Sequence, residues 1–96
     1  MPTVLRSGGF RVEELLLQAR VADVSSDGER LSVTLEDGRR ISVPLRWYPR
    51  LANAISAQRA NWEIAGAGFG IHWPDVDEDL SVEGLLLGLP APGVSK

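Results

Sequence analysis

The chain has 96 residues, of which 44% are hydrophobic and 24% charged, so we expect one folded domain of ordinary globular composition. The absence of cysteine excludes a disulfide scaffold, a thiol enzyme and a cysteine-ligated zinc module. The net charge is −3, whereas a typical nucleic-acid-binding protein carries an excess of basic residues. No signal peptide is evident at the N-terminus and no run approaches the roughly 18 apolar residues of a spanning helix, so we expect a cytoplasmic protein without membrane contact.

The charged residues are unevenly distributed. Five arginines lie in the middle of the chain: Arg39, Arg40, Arg46, Arg50 and Arg59. Between the last of them and Lys96 every charged side chain is acidic. The favoured interpretation is that the two parts lie side by side and neutralise each other. The alternative is that one face is offered to a partner of opposite charge.

The domain is expected to cover residues 20–90. Residues 1–19 form an N-terminal arm or a short helix, because Val12, Leu15 and Leu16 have helical spacing. The tail 91–96 should be mobile.

From Arg20 onward, apolar and polar residues alternate, which predicts three strands. The three apolar sets are Ala22 and Val24; Leu31, Val33 and Leu35; and Ile41, Val43 and Leu45. An Asp-Gly pair in each connection is a strong hairpin signal.

The two turns are expected to differ. At Asp27-Gly28, a two-residue type I′ loop would place Val24 opposite Leu31 and Ala22 opposite Val33, so that apolar side chains share one face. At Asp37-Gly38 the same loop would set polar against apolar residues. A three-residue loop with Gly38 in the left-handed region, as a G1 bulge, instead pairs Val33 with Ile41 and Leu31 with Val43. The result is an antiparallel meander with one apolar face.

A helix should begin at Pro49, which suits the first helical position. Its expected inner stripe is Leu51, Ala54, Ile55, Gln58 and Trp62. This helix is either continuous or broken near Ile55-Ser56, where Ser56 could cap a second short helix.

The segment after this helix predicts one more short strand and a final helix. Gly66, Gly68 and Gly70 do not match the dinucleotide-binding spacing, and they lead into Phe69, Ile71 and Trp73, which alternate like a strand ended by Pro74. Ser81 should cap the last helix, which Pro90 stops near Leu87. Its apolar residues are expected in the core: Val82, Leu85, Leu86 and Leu89. The fold class is therefore α+β with one core, in which we expect Trp62 and Trp73.

Several motifs resemble a known bacterial family. They are Asp37-Gly38-Arg39, Ser42-Val43-Pro44-Leu45, Trp47-Tyr48-Pro49-Arg50-Leu51, Ala60-Asn61-Trp62 and Gly70-Ile71-His72-Trp73-Pro74-Asp75-Val76-Asp77-Glu78-Asp79. The chain from Arg20 to Gly88 is similar to the domain of unknown function 2442 family. The resemblance implies a small α+β domain that acts like an antitoxin towards a small protein partner of the domain of unknown function 4160 family, a toxin encoded nearby.

The acidic segment does not predict a metal site. Asp75, Asp77 and Asp79 alternate as in a calcium loop, but Leu80 and Leu86 stand where the EF-hand pattern needs glycine and a bidentate glutamate. A single histidine, His72, does not by itself indicate a catalytic site, and we expect its side chain to face solvent or a carboxylate. We therefore predict no enzyme activity, no metal and no cofactor.

The preferred function is a small non-enzymatic protein-binding module, antitoxin-like, that uses an exposed strand edge or the polar sheet face. The candidate partner-binding residues are Trp47, Tyr48, Arg50, His72, Asp75, Asp77 and Glu78. We expect Arg50 to pair with the acidic segment. A homodimer is compatible with this interpretation. The alternative function is a DNA-binding transcriptional regulator that uses the arginine-rich middle.

Overall fold

The computed structural model describes residues 19–96, which form two three-stranded antiparallel sheets and three short helices. The strands are β1 Val21–Ser26, β2 Arg30–Leu35, β3 Arg40–Pro44, β4 Glu63–Ala65, β5 Gly70–Trp73 and β6 Glu78–Ser81. The helices are α1 Pro49–Ala52, α2 Ser56–Ala60 and α3 Val82–Leu87, with 3-10 turns at Leu45–Trp47 and Gly66–Gly68. The α+β class is confirmed. The arm or helix expected for residues 1–19 lies, as far as residue 18, outside the described residues.

The hairpin between β2 and β3 has the predicted register. Val33 pairs with Ile41 and Leu31 with Val43. The Leu35 N–H donates to the Arg39 carbonyl at 2.8 Å, and Gly38 has a φ of 95°, which the predicted bulge requires. Matching apolar faces across the strands selects this loop over a two-residue one.

The hairpin between β1 and β2 differs from the prediction. Val24 pairs with Val33, and neither residue of the Gly28–Glu29 loop has a positive φ, so the type I′ turn is wrong. The carboxylate of Asp27 sets the turn instead, because its Oδ1 accepts the N–H groups of both residues that follow Gly28, at 2.7 and 2.8 Å. The pairing of β1 with β2 is therefore shifted by two residues from the predicted register, and a shift of two keeps Val24 on the buried face.

Because of a bulge in β1, Val21 takes the core position that was predicted for Ala22. The register shifts between Val21 and Asp23, so that Val21 is buried and Ala22 is exposed. The predicted inward position of Ala22 is therefore wrong. The exchange is favourable because valine buries more apolar surface than alanine.

The helical segment is broken, which was the second of the two predicted alternatives, but Ile55 and not Ser56 holds the cap position of the second helix. A helix begins at Pro49 as predicted, but α1 ends at Ala52 and α2 begins at Ser56. Ile55 has extended backbone angles and is 65% exposed, so its place in the predicted inner stripe is wrong. The Arg59 Nη1 donates to the carbonyls of Leu51 and Ala54 and satisfies groups that a continuous helix would have bonded itself.

The second sheet has strand order β4-β5-β6. The predicted strand is β5, in which Ile71 and Trp73 are buried. The flanking strands β4 and β6 were not predicted, because β4 has only three residues and β6 is half acidic. In β6, Leu80 pairs with Ile71, and Glu78 pairs with Trp73.

The last helix begins and ends where predicted. The Ser81 Oγ accepts the Gly84 N–H at 2.9 Å, and Gly88 closes the helix in the left-handed region. Val82 and Leu85 are buried. Leu86 and Leu89 are 44% and 55% exposed, so their predicted core positions are wrong. A helix of six residues presents only one face to the core, and Leu89 lies beyond the end of the helix.

Both sheets contribute to one hydrophobic cluster. Its largest fully buried side chains are Trp73, Tyr48, Leu31, Leu35, Leu51 and Ile71. Trp62 is partly buried and packs against this cluster. In the tail, the Ala91 N–H donates to the Trp47 carbonyl at 3.0 Å; the mobility of residues 91–96 stays a prediction.

Candidate protein-binding groove

Two sequence motifs meet at Arg50 and Tyr48. The Arg50 Nη1 donates to the carbonyl of Asp77 at 2.6 Å, so Arg50 reaches the acidic segment as expected, but through its backbone. The Tyr48 side chain is buried, and its hydroxyl donates to the Leu89 carbonyl at 3.1 Å. These bonds join the start of α1, the turn before β6 and the chain that follows α3.

Within residues 19–96, no strand pairs with the outer edge of β6. The Val82 N–H donates to the Phe69 carbonyl at 2.9 Å, in line with the β5–β6 register. Because antiparallel pairs alternate between bonded and non-bonded, the backbone groups of Glu78 and Leu80 then face β5, and those of Asp79 and Ser81 face away from it. The Asp79 N–H bonds only locally, to Glu78 Oε1 at 3.1 Å. The outward edge is therefore available to another strand.

This edge borders a groove. A hollow of about 190 Å³ lies between β6 and the apolar residues Leu85, Leu89, Pro90 and Pro92, with Tyr48 also lining it. A second hollow of about 380 Å³ is lined by Pro49 and Arg50 and shares Glu78, Ala91 and Pro92 with the first. We call the two adjoining hollows the β6 groove. Its walls combine a free strand edge, apolar side chains and a few charges.

The β6 groove is acidic along its strand side. Glu78 and Asp79 both line it, and Arg50 is the cation at its other end. The pKa of Tyr48 is raised, first because the phenol is buried and second because the Glu78 carboxylate is near.

The arginine-rich middle does not neutralise this acidity. Among the described residues, no ion pair joins its five arginines to the carboxylates of residues 63–83. Arg39 pairs with Asp37 inside its own turn, and Arg59 donates to backbone carbonyls. The expected mutual neutralisation is not found between these groups.

The predicted partner-binding residues fall into three groups. Tyr48, Arg50 and Glu78 line the β6 groove. Two others do not line it but bind residues that do: the Trp47 carbonyl accepts the Ala91 N–H, and the Asp77 carbonyl accepts from Arg50. Their role in binding stays a prediction.

His72 and Asp75 lie elsewhere. The His72 Nδ1 donates to Asp79 Oδ1 at 2.7 Å, on the face of β5 opposite to the buried residues, as expected from the alternation. Asp75 is exposed, and its Oδ2 accepts from Asn61 Nδ2 at 3.0 Å. Within residues 19–96, no group of three or more His, Asp or Glu side chains is placed to hold a metal ion.

Sequence reasoning missed the apolar wall and the strand edge. Leu85 and Leu89 were expected only as core residues, Pro90 only as the helix stop, and residues 91–92 only as part of the tail. A signal for β6 was present in the alternation of Val76, Leu80 and Val82, with Glu78 in phase with them. The aspartates between these residues obscured it.

The fold and the groove define a small α+β domain of two antiparallel sheets in which the outer edge of β6 borders the groove. The chain belongs to the family described as protein of unknown function (DUF2442), whose sequence profile matches residues 21–91. The expected family membership is thereby confirmed. No curated protein sequence matches the chain. Within residues 19–96, no helix is long and apolar enough to cross a membrane.

Two solved structures are similar to this chain. A protein of unknown function from Rhodospirillum rubrum is 35% identical with a TM-score of 0.67, over 78% of this chain and 93% of that one. An uncharacterized protein from Chromobacterium violaceum is 21% identical with a TM-score of 0.68, over 97% of this chain and 91% of that one. The second likeness shows the fold alone.

Proposed function

We propose that this protein is a non-enzymatic protein-binding module that holds an extended segment of a partner protein in the β6 groove. The observation that carries the proposal is the free edge of β6 beside an apolar wall. Strand addition of this kind gains affinity from main-chain hydrogen bonds and specificity from pockets that accept alternate side chains. The β6 groove offers both at one place.

The edge is accessible without disturbing the sheet. The outward N–H of Asp79 is satisfied by the carboxylate of Glu78, which is a flexible side chain of the same strand. A partner carbonyl can replace that carboxylate, and the ladder between β6 and β5 stays intact because it uses the other residues of the strand.

The apolar wall supports the same function. Three large apolar side chains at the end of α3 are exposed: Leu86, Leu87 and Leu89, at 44%, 63% and 55%. Leu89 also lines the groove. Exposed apolar residues that are grouped beside a groove commonly mark an interaction site.

The partner in this proposal is a small toxin-like protein encoded nearby, as the family resemblance implies, and both proteins would act in the cytoplasm. The DNA-binding alternative has less support, because three of the five central arginines already bind within the protein. Arg39 binds Asp37, Arg50 binds the Asp77 carbonyl and Arg59 binds the end of α1. The role as a non-enzymatic binder is supported by the position of His72 outside the groove.

The test uses the full chain and the product of the adjacent gene, mixed at micromolar concentration. Asp79→Pro removes an outward N–H from β6 without removing a bond to β5. We expect it to weaken binding about tenfold or more, because one main-chain hydrogen bond and the fit of the edge are both lost. Ser42→Pro is the matched control, since Ser42 holds the equivalent outward position on β3.

Leu89→Glu is a second variant, which places a charge on an exposed part of the apolar wall and leaves the core untouched. It should also weaken binding. Circular dichroism and thermal unfolding must show that all three variants are folded. If the wild-type pair does not associate, or if the Ser42→Pro variant loses as much affinity as the Asp79→Pro variant, the proposal is wrong.

A further inference from the structure

We infer that the segment held in the β6 groove is basic, with apolar residues that alternate with lysine or arginine. The inference rests on the proposed binding function and specifies the chemistry of the partner. Its basis is the charge of β6 and of the two segments that flank the strand.

The carboxylates around β6 are only weakly compensated. Asp77 precedes the strand and Glu83 follows it, and the carboxylates of both are without a hydrogen bond or an ion pair to any residue of 19–96. Glu78 accepts only its own neighbour's N–H, and Asp79 accepts from His72. Four carboxylates therefore lie within the seven residues 77–83, and two of them, Glu78 and Asp79, line the groove.

Within residues 19–96, neither of two nearby cations forms an ion pair with these carboxylates. Arg50 lines the groove but donates to a backbone carbonyl. Lys96 lies over the Trp47 ring, with Nζ 5.6 Å from the ring centroid. A basic partner segment would supply the missing positive charge, and complementary charge favours both its encounter and its correct partner choice.

The geometry of the strand fixes the alternation. Glu78 and Leu80 pair with the buried residues of β5, whereas Asp79 and Ser81 lie on the opposite face. Side chains of an added strand also alternate between these two faces. One set would enter the hollow beside Leu85 and Leu89. The other set would lie across from Asp79, where a lysine or arginine forms a favourable cross-strand pair.

A second copy of this chain does not fit this description. If two β6 strands paired, each would place Glu78 and Asp79 close to the same residues of the other copy. Like charges that face each other across strands destabilise the pairing. The homodimer that the sequence left open is therefore not expected to form through this edge.

The inference is tested with three synthetic ten-residue peptides that share the same alternating apolar residues and differ in the residues between them. These are lysine in the first peptide, glutamine in the second and glutamate in the third. Titration calorimetry with the full chain should give an affinity for the lysine peptide at least tenfold higher than for the glutamine peptide. Added salt should reduce this difference because it screens exposed charges.

A pair of matched double variants identifies the groups responsible. Glu78→Gln with Asp79→Asn removes two charges and keeps the acceptors of the Asp79 N–H and of His72. It should reduce the affinity for the lysine peptide to that for the glutamine peptide. Glu29→Gln with Glu36→Gln changes the net charge equally at exposed positions in the two turns that connect the strands of the first sheet, and should leave the binding unchanged.

The outcomes separate the two proposals. Equal or tighter binding of the glutamine or glutamate peptide overturns the basic segment and leaves the binding function standing. If none of the three peptides binds at millimolar concentration, the groove does not hold extended segments and the proposed function fails with the inference. A mass in solution that doubles with concentration in the wild type, and not in the Asp79→Pro variant, would identify a second copy as the occupant and overturn the basic segment.

Discussion

Replacement of Gly38 by alanine should destabilise the protein, whereas the same replacement of Gly28 should stabilise it. Both glycines follow an aspartate in a hairpin turn, and a Cβ added at either would meet nothing within 4 Å. They differ in backbone conformation, because φ is 95° at Gly38 and is not positive at Gly28. The contrast therefore isolates conformation from packing.

The magnitudes follow from two terms. Alanine removes backbone freedom from the unfolded chain, which stabilises a protein by about 0.4–1 kcal/mol where the native conformation suits it. This term applies equally to both positions. At Gly38, the left-handed conformation adds a cost of roughly 1–2 kcal/mol for a residue with a Cβ. The free energy of unfolding should thus be about 1–2 kcal/mol lower for Gly38→Ala than for Gly28→Ala.

Urea unfolding and thermal scans of the two variants measure this difference directly. For a domain of this size, roughly 4–8 °C in melting temperature accompanies each kcal/mol, so a gap of about 4–16 °C is expected. The slope of the urea transition should be the same in both variants, because neither exposes new surface. Equal stabilities, or a less stable Gly28→Ala, would contradict the assignment of different turn types.

Two further predictions concern buried groups. Because Tyr48 is the only tyrosine, the ultraviolet absorbance of tyrosinate reports on it alone, and its midpoint should lie above the ordinary pKa of 10.0, since burial and Glu78 raise it. Below pH 10 the ionisation of Tyr48 should not affect the free energy of unfolding. Above pH 10 the stability should fall, because the tyrosine of the unfolded state loses its proton at a lower pH than that of the folded state. A titration midpoint of Tyr48 at or below the ordinary pKa would contradict its burial. Leu85→Ala should cost about 2–5 kcal/mol and Leu87→Ala less than about 0.5 kcal/mol in urea unfolding, because the first is 3% and the second 63% exposed; similar losses would show that α3 is rotated.

The first sheet shows which parts of the fold were predictable. The alternation of Leu31, Val33 and Leu35 defines a strand, and the pairing of β2 with β3 follows because only one register matches the apolar faces. The β1–β2 register was not accessible in this way. That register depends on two local features, the hydrogen bonds to the Asp27 carboxylate in the turn and the bulge at Ala22. A shift by two residues leaves the same side chains on the buried face, so the apolar pattern does not distinguish the two registers.

The candidate site was harder to predict than the fold. Tyr48, Arg50 and Glu78 were singled out for their residue types, and they do line the groove. The free edge could not be read directly because β6 is a strand only through its pairing with β5. The exposed wall around Leu89 was assigned to the core, since apolar spacing alone does not tell which side of a short helix faces a groove.

The charges on β6 give one physical reason for two properties. An uncovered strand edge normally invites pairing with other copies of the same chain, and proteins often protect such edges with charged residues. Here the protecting charges are all of one sign, on Glu78 and Asp79 and on the residues that flank the strand. They repel an identical edge, yet they attract a segment of opposite charge. The same acidic residues that keep β6 from pairing with itself therefore select its partner, which is why neutralising them should lower selectivity for the lysine peptide and raise self-association together.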